Sequence, residues 1–205
     1  CKQPVAPPRL GNPASFVDIC VAPGSRLFFS KRDASSYFDV LRAPVDAHPW
    51  FGFPPVRASL LCEVLGIDIE DLQKLLKDVG QLKHNSLVYP VSVTFPMGFS
   101  WSSCIAQATT ISVVKAAGID EANIACDTKE FPDQCDEIAV VATDDIILIH
   151  TKDDQALARL EALDAALDAA CIPKALEKDE NACDQIVGLG CILRGSPPRV
   201  DPNQS

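Results

Sequence analysis

Histidine is scarce: only His48, His84 and His150 occur among 205 residues, and none stands at ligand spacing from another. The nine cysteines, from Cys1 to Cys191, include no C-x-x-C pair. Structural zinc sites draw on close pairs of such ligands, so both facts argue against a zinc module. The thiols read as scattered, mostly buried groups of a reducing compartment, with a Cys126–Cys135 disulfide open as the alternative. No run of eighteen apolar residues exists, so no membrane-spanning helix is indicated. A lone G-x-G, Gly188-Leu189-Gly190, lies in a predicted strand without a following helix and is no dinucleotide fingerprint. No internal repeat is visible. Basic residues are outnumbered, 18 Lys and Arg against 28 Asp and Glu, for a net charge of −10. Nucleic-acid binders usually carry a basic face. The acidic balance suits a fragment that holds an acidic centre while its basic parts lie elsewhere. The chain starts at Cys1 with neither an initiator Met nor a signal peptide. The expectation is a piece of a longer intracellular protein, cytoplasmic or nuclear and not secreted.

The sequence does hold a core, with 47% hydrophobic residues. Residues 1–25 are rich in Pro and Gly and read as an irregular lead-in, with a short helix at 14–20 begun by Asn12-Pro13. A strand is predicted at 26–32 and an aromatic, strand-like segment at 48–55. Helices are predicted at 56–65 and 68–79, the latter striped by Ile69, Leu72, Leu75, Leu76 and Val79 and ended by Gly80. A β-branched alternation predicts a strand over 87–95. Helices follow at 100–117, ended by Gly118, and at 153–170, with a polar, acidic stretch over 119–136, a loop with a short helix, before the second. Residues 185–193 read as a final strand, and the tail after Gly195 as loose. Helices and strands mixed with hairpins predict an α+β fold rather than a doubly wound sheet.

The stretch from Glu137 to His150, EIAVVATDDIILIH, carries the chemistry. Two apolar strand-like runs flank Asp144-Asp145. Unpaired buried charge costs several kcal/mol, so the pair is either a metal-binding hairpin, with oxygen ligands suited to Mg²⁺, or an acidic turn. Asp153-Asp154 is the internal control: it opens a helix, where carboxylates complement the dipole. Asp33, at the end of the strand predicted over 26–32, is a third carboxylate. If that strand neighbours the one at 138–143, Asp33 and Asp144 face one another. Three converging carboxylates suit a pair of Mg²⁺ ions and in-line phosphoryl transfer.

The order of segments resembles the palm of retroelement reverse transcriptases. Asp33 with ASSYFDVLR after it resembles the first catalytic motif, and HPWFGF the aromatic segment that follows. FPMGFSWSSCIAQ resembles the Pro-Gln-Gly-Phe motif and its helix. ATDDIILIH resembles the Tyr-x-Asp-Asp hairpin, and GLGCIL the Leu-Gly hairpin that leads to the thumb. The match runs in order over residues 26–193 and is most like retrotransposon polymerases. Met97 stands where the family has Gln, and Ala142 where it has an aromatic residue.

The resemblance implies an α+β polymerase palm, an antiparallel sheet backed by the helices at 100–117 and 153–170. It implies a fingers-like insertion at 43–96, a lead-in at 1–25 that ends the fingers, and a tail at 194–205 toward a thumb. It implies an RNA-directed DNA polymerase using two Mg²⁺ ions, or Mn²⁺, with an RNA or DNA template, a primer and a dNTP. The remaining fingers, the thumb and any RNase H domain would belong to the rest of a polyprotein. By resemblance, Asp33 and Asp144 ligate the metals and Asp145 assists. Phe38 stands at the gate that excludes a ribose 2′-OH, although a lone Phe also reads as a core aromatic. Ala34 lies near the triphosphate, and Gly98 and Phe99 line the nucleotide and template side. Lys178 orients the triphosphate or protonates pyrophosphate, or is a solvated surface lysine. Two other classes stay open: a catalytically dead palm-fold interaction module, and an RNA-dependent RNA polymerase, which would favour a polar residue where Phe38 stands.

Overall fold

Residues 138–141 and 146–149 contain no polar side chain, so a strand built from either needs apolar cover on both faces. The fold supplies it. The computed structural model describes residues 10–76, 80–125 and 135–203. In chain order the elements are β1 (Phe28–Asp33), α1 (Tyr37–Val40), β2 (Val56–Arg57), α2 (Ala58–Leu65), α3 (Ile69–Leu75) and β3 (Leu87–Val88). They continue with α4 (Ser102–Ala116), β4 (Ile124–Ala125), β5 (Glu137–Ala142), β6 (Asp145–His150) and α5 (Asp153–Ala169). The last four are β7 (Glu180–Cys183), β8 (Gln185–Gly188), β9 (Cys191–Gly195) and β10 (Pro198–Pro202). The mix is α+β. It divides into two units, Cys1–Leu41 with Met97–Ser205, and Arg42–Pro96.

The larger unit is built on a five-stranded sheet in the order β4-β5-β6-β1-β7, antiparallel except for β4 with β5. Helices α4 and α5 pack on each other and on this sheet. Ala156, Leu160, Leu163 and Leu167 of α5 are buried there. Alternation along β1 sends Arg32 to the helix side, where it meets Asp164 of α5. Phe29 goes to the opposite face, into a second core with Phe16, Ile138, Val140, Ile147, Ile149, Ile186 and Leu193. Burial on both faces accounts for the unbroken apolar runs of β5 and β6.

The β8–β9–β10 sheet closes that second face. Its first turn, Leu189-Gly190, has both φ values positive (50° and 77°), as a two-residue hairpin requires. Gly195 lets β9 touch the start of β1: Leu27 N–H donates to Gly195 O at 3.0 Å, and a Cβ on Gly195 would overlap Leu27 O. The smaller unit, Arg42–Pro96, pairs β2 with β3 and packs Ala58, Leu72, Leu82 and Val88 together.

Several expectations change. Strand β1 runs to Asp33 and pairs with β6, not with β5; β6 lies between them. Residues 185–193 are a hairpin, not one strand, and the tail is β10, paired with β9. The lead-in helix at 14–20 is a 3-10 turn, Pro13–Phe16, capped by Asn12. Of residues 48–55, those up to Phe51 belong to a 3-10 helix, Val45–Phe51, consistent with the φ that Pro49 imposes, and only Gly52 is extended and bridged, to Val91. Residues 56 and 57 pair as strand before α2 begins. Of 87–95 only Leu87–Val88 is regular strand, with single bridges at Val91 and Thr94, because Pro90 interrupts the ladder. Helix α3 ends at Leu75 with Leu76 extended, and residues 77–79 lie outside the described ones. Cys126 also lies outside them; the seven described cysteines are free thiols.

Candidate active site

The five-stranded sheet brings the three carboxylates to one end. Asp33 closes β1 directly opposite Asp145, the first residue of β6. One residue further, Ala34 N–H donates to Asp144 O at 3.0 Å. Asp33, Asp144 and Asp145 therefore start from adjoining backbone positions. Burial pushes the Asp144 carboxyl above the usual carboxylate range, and the charges of Asp145 and Asp33 add to the rise.

Two lysines answer that charge. The chain after α5 runs beside β1, with Ala175 N–H donating to Asp33 O at 2.9 Å and Ser35 N–H to Pro173 O at 2.8 Å. This brings Lys178 to Asp33, Nζ to Oδ2 at 3.0 Å. The Asp33 hydrogen bond and charge raise the Lys178 pKa, so the ammonium stays charged. Lys31 Nζ lies 3.1 Å from Asp145 Oδ1. That is an ion-pair distance without hydrogen-bond geometry, and Asp145 Oδ1 is buried with no hydrogen-bond partner.

The hairpin tip between Ala142 and Asp145 is clamped from α4. Thr143 is held at φ 59°, a conformation most residues avoid. The fully buried Gln107 accepts from Thr143 N–H (2.6 Å) and donates to Val141 O (3.0 Å). Thr110 Oγ1 donates to Thr143 O at 2.5 Å, and Tyr37 Oη lies 2.8 Å from the same hydroxyl.

The other predicted residues are placed as follows. Ala34 is buried beside Asp33 and bridges Lys174. Phe38 is half-buried on α1, its ring 6.4 Å from that of Tyr37. Gly98 is exposed at φ 95° in the turn before α4. Phe99 follows it and accepts the Ser102 N–H. Lys178 is half-exposed and held by Asp33.

Sequence reading passed over Lys31, Gln107, Thr110 and Tyr37. The signals were present. Lys31 is two residues before Asp33 on a strand, hence on its face. Gln107 and Thr110 are polar positions on the stripe that buries Ala106, Ile111 and Val114.

Carboxylate oxygens, one of them buried without a hydrogen bond, fit a hard divalent cation in chemistry. In position they are tied to lysines: among the described residues no three His, Cys, Asp or Glu side chains stand together as a ligand set.

No protein-family profile matches the chain, and no curated protein sequence matches it. Solved structures do. A foamy viral protease–reverse transcriptase in complex with double-stranded DNA matches 97% of this chain and 26% of its own length, with TM-score 0.59 and 14% identity. A selenomethionine-labelled mutant of the prototype foamy virus protein matches 94% and 19%, with TM-score 0.56 and 16% identity. Telomerase from Candida albicans, solved with a TWJ fragment of telomeric RNA, matches 93% and 35%, with TM-score 0.52 and 14% identity. The chain thus spans about a fifth to a third of these proteins. The class they define is structural: an α+β fold of the reverse-transcriptase type. Among the described residues no helix is long and apolar enough to cross a membrane.

Proposed function

We propose that this chain is the palm portion of an RNA-directed DNA polymerase, from a retrotransposon-type polyprotein whose remaining fingers, thumb and possible RNase H domain lie in other parts. The supporting observation is the pairing of Asp33 against Asp145, with Asp144 O bonded to Ala34 N–H, at one end of a sheet of this fold. Asp33 and Asp144 would hold Mg²⁺, or Mn²⁺, with Asp145 assisting. The bound ions would lower the pKa of a primer 3′-hydroxyl and offset charge developing at the α-phosphate of a dNTP.

The chain's own residues do the rest. Asp33 and Asp144 supply the carboxylate oxygens, and the Ala34 backbone, next to Asp33, would lie near the triphosphate. Phe38 on α1 is assigned as the gate against a ribose 2′-OH. Gly98, free of a side chain at positive φ, and Phe99 line the nucleotide and template side. Lys178, released from Asp33, pairs with the triphosphate. Residues 43–96, within the smaller unit, are read as the fingers-like insertion. An RNA-dependent RNA polymerase would require Phe38 to admit a ribose. Template and primer, RNA or DNA, would be held mainly by parts outside this acidic chain.

A second reading, a palm-fold module without catalysis, draws on the two lysine pairs. Lys178 and Lys31 already neutralise Asp33 and Asp145. Primer extension by the parent protein separates the two readings. Wild type should extend with dNTPs and Asp144→Asn should lose extension. Extension unchanged in Asp144→Asn defeats the catalytic reading. Equal use of rNTPs defeats the gate role of Phe38.

A further inference from the structure

The hydrogen-bond chain from Tyr37 through Thr110 to Thr143 O joins the segment after Asp33 to the backbone just before Asp144. Its members are nearly inaccessible: Tyr37 and Thr110 are each 3% exposed. A threonine hydroxyl has one proton. Two acceptors compete for it, Ala106 O at 3.1 Å and Thr143 O at 2.5 Å, and the shorter contact goes to Thr143. With that proton directed to Thr143, the 2.8 Å contact between Thr110 Oγ1 and the Tyr37 hydroxyl has the tyrosine as its donor. The tyrosine hydroxyl also has Ala106 O within reach at 3.1 Å, and the shorter contact is again the one to Thr110. Tyr37 lies four residues after Asp33, and Thr143 one residue before Asp144. One relay therefore links the helix that follows Asp33 to the turn that carries Asp144.

The relay carries a further load. Thr143 adopts positive φ without being Gly, Asn or Asp, a conformation that persists only when its surroundings hold it. Gln107 holds its N–H and Thr110 holds its C=O. Relaxing either end lets the peptide before Asp144 rotate and swings its carboxylate.

We infer that Tyr37 and Thr110 are positioning residues, acting through the Thr143 carbonyl to set the direction of the Asp144 carboxylate toward a divalent cation. This rests on the metal-dependent reading above. Neither residue touches substrate or metal. Their effect falls on affinity, as for groups that orient a ligand from behind.

The test uses the full 205-residue chain and Mn²⁺ alone, with free Mn²⁺ followed by electron paramagnetic resonance and the fold checked by circular dichroism. Tyr37→Phe removes only a hydroxyl, and Thr110→Val keeps the shape but removes the donor. Both should bind Mn²⁺ about 10- to 100-fold more weakly, the usual cost of losing a ligand's support. Thr110→Ser, which restores the hydroxyl, should bind as wild type, and Asp144→Asn should lose the site. Should Thr110→Val fail to fold, Tyr37→Phe carries the comparison. Tyr37→Phe within about twofold of wild type, beside a loss in Asp144→Asn, overturns the relay. Thr110→Ser weakened as much as Thr110→Val also overturns it, because packing would then be the cause. Absence of saturable Mn²⁺ binding in wild type, or its persistence in Asp144→Asn, overturns the metal reading and the relay with it.

Discussion

Replacing Arg32 with Met tests the support behind Asp33. Arg32 precedes that aspartate and points to the opposite face of β1, with a side chain only 5% exposed. Its guanidinium makes two bonds to Asp164 of α5, at 2.7 and 3.0 Å, and donates to Lys31 O at 2.8 Å. Asp179 stands 3.4 Å away. Hydrogen bonds to charged groups are worth about 1.5–3 kcal/mol each, and breaking a buried pair from one side costs about 3–5 kcal/mol. Lys174 remains 2.9 Å from Asp164 and moderates the loss. Methionine also keeps part of the apolar contact. The expected destabilisation is therefore about 3 kcal/mol, the low end of the buried-pair range. At an m-value of about 2 kcal/mol/M, this lowers the urea midpoint by about 1.5 M.

The pH dependence gives a second signature. Burial alone would raise the Asp164 carboxyl, but Arg32 and Lys174 outweigh it and hold it below the usual carboxylate range. A depressed carboxylate contributes stability above its unfolded pKa and loses it as pH falls through the folded value. Arg32→Met should therefore show a shallower loss of stability on acidification than wild type. A loss under about 1 kcal/mol, the range of an exposed ion pair, would refute the buried-pair argument. So would an unchanged acid limb.

Asp144→Asn should unfold at higher urea than wild type when divalent ions are chelated. A carboxyl raised by burial and by Asp145 and Asp33 costs stability above its folded pKa and nothing below its unfolded one. The advantage should accordingly vanish as pH falls below the carboxylate range. Glu137→Gln should do the reverse. Burial would raise Glu137, yet bonds from His150 and Arg159 hold it low, so wild type gains stability above the carboxylate range. The variant should be less stable at neutral pH, with a flatter urea midpoint from about pH 5 to 3. Gly195→Ala places a methyl against Leu27 O and Asp184 O, which are backbone and cannot swing away. It should cost about 2–3 kcal/mol in urea unfolding, and a neutral result would mean that β9 does not press on β1 as described.

Much of the local structure was legible. The helices at α4 and α5, the first ended by Gly118, and the apolar runs of β5 and β6 that flank Asp144-Asp145 were readable from local pattern. The α+β class followed from the same patterns, because a strand or helix advertises its buried face in its own sequence. The segments misread, 48–55 and 87–95, are aromatic or β-branched but interrupted by proline. There a pattern of side chains is overruled by a backbone that cannot donate.

The chain by itself determined which carboxylates were available, Asp33, Asp144 and Asp145, and that the latter two sit between buried strands. Only the tertiary structure decided their company. It put β6 rather than β5 beside β1, brought Lys178 to Asp33 and Lys31 to Asp145, and tied Thr143 to Thr110 and Tyr37. The physical reason is distance along the chain. Asp33 and Lys178 are 145 residues apart in sequence. Which strands pair over such separations depends on closing long loops and covering both sheet faces at once, quantities that no local periodicity encodes.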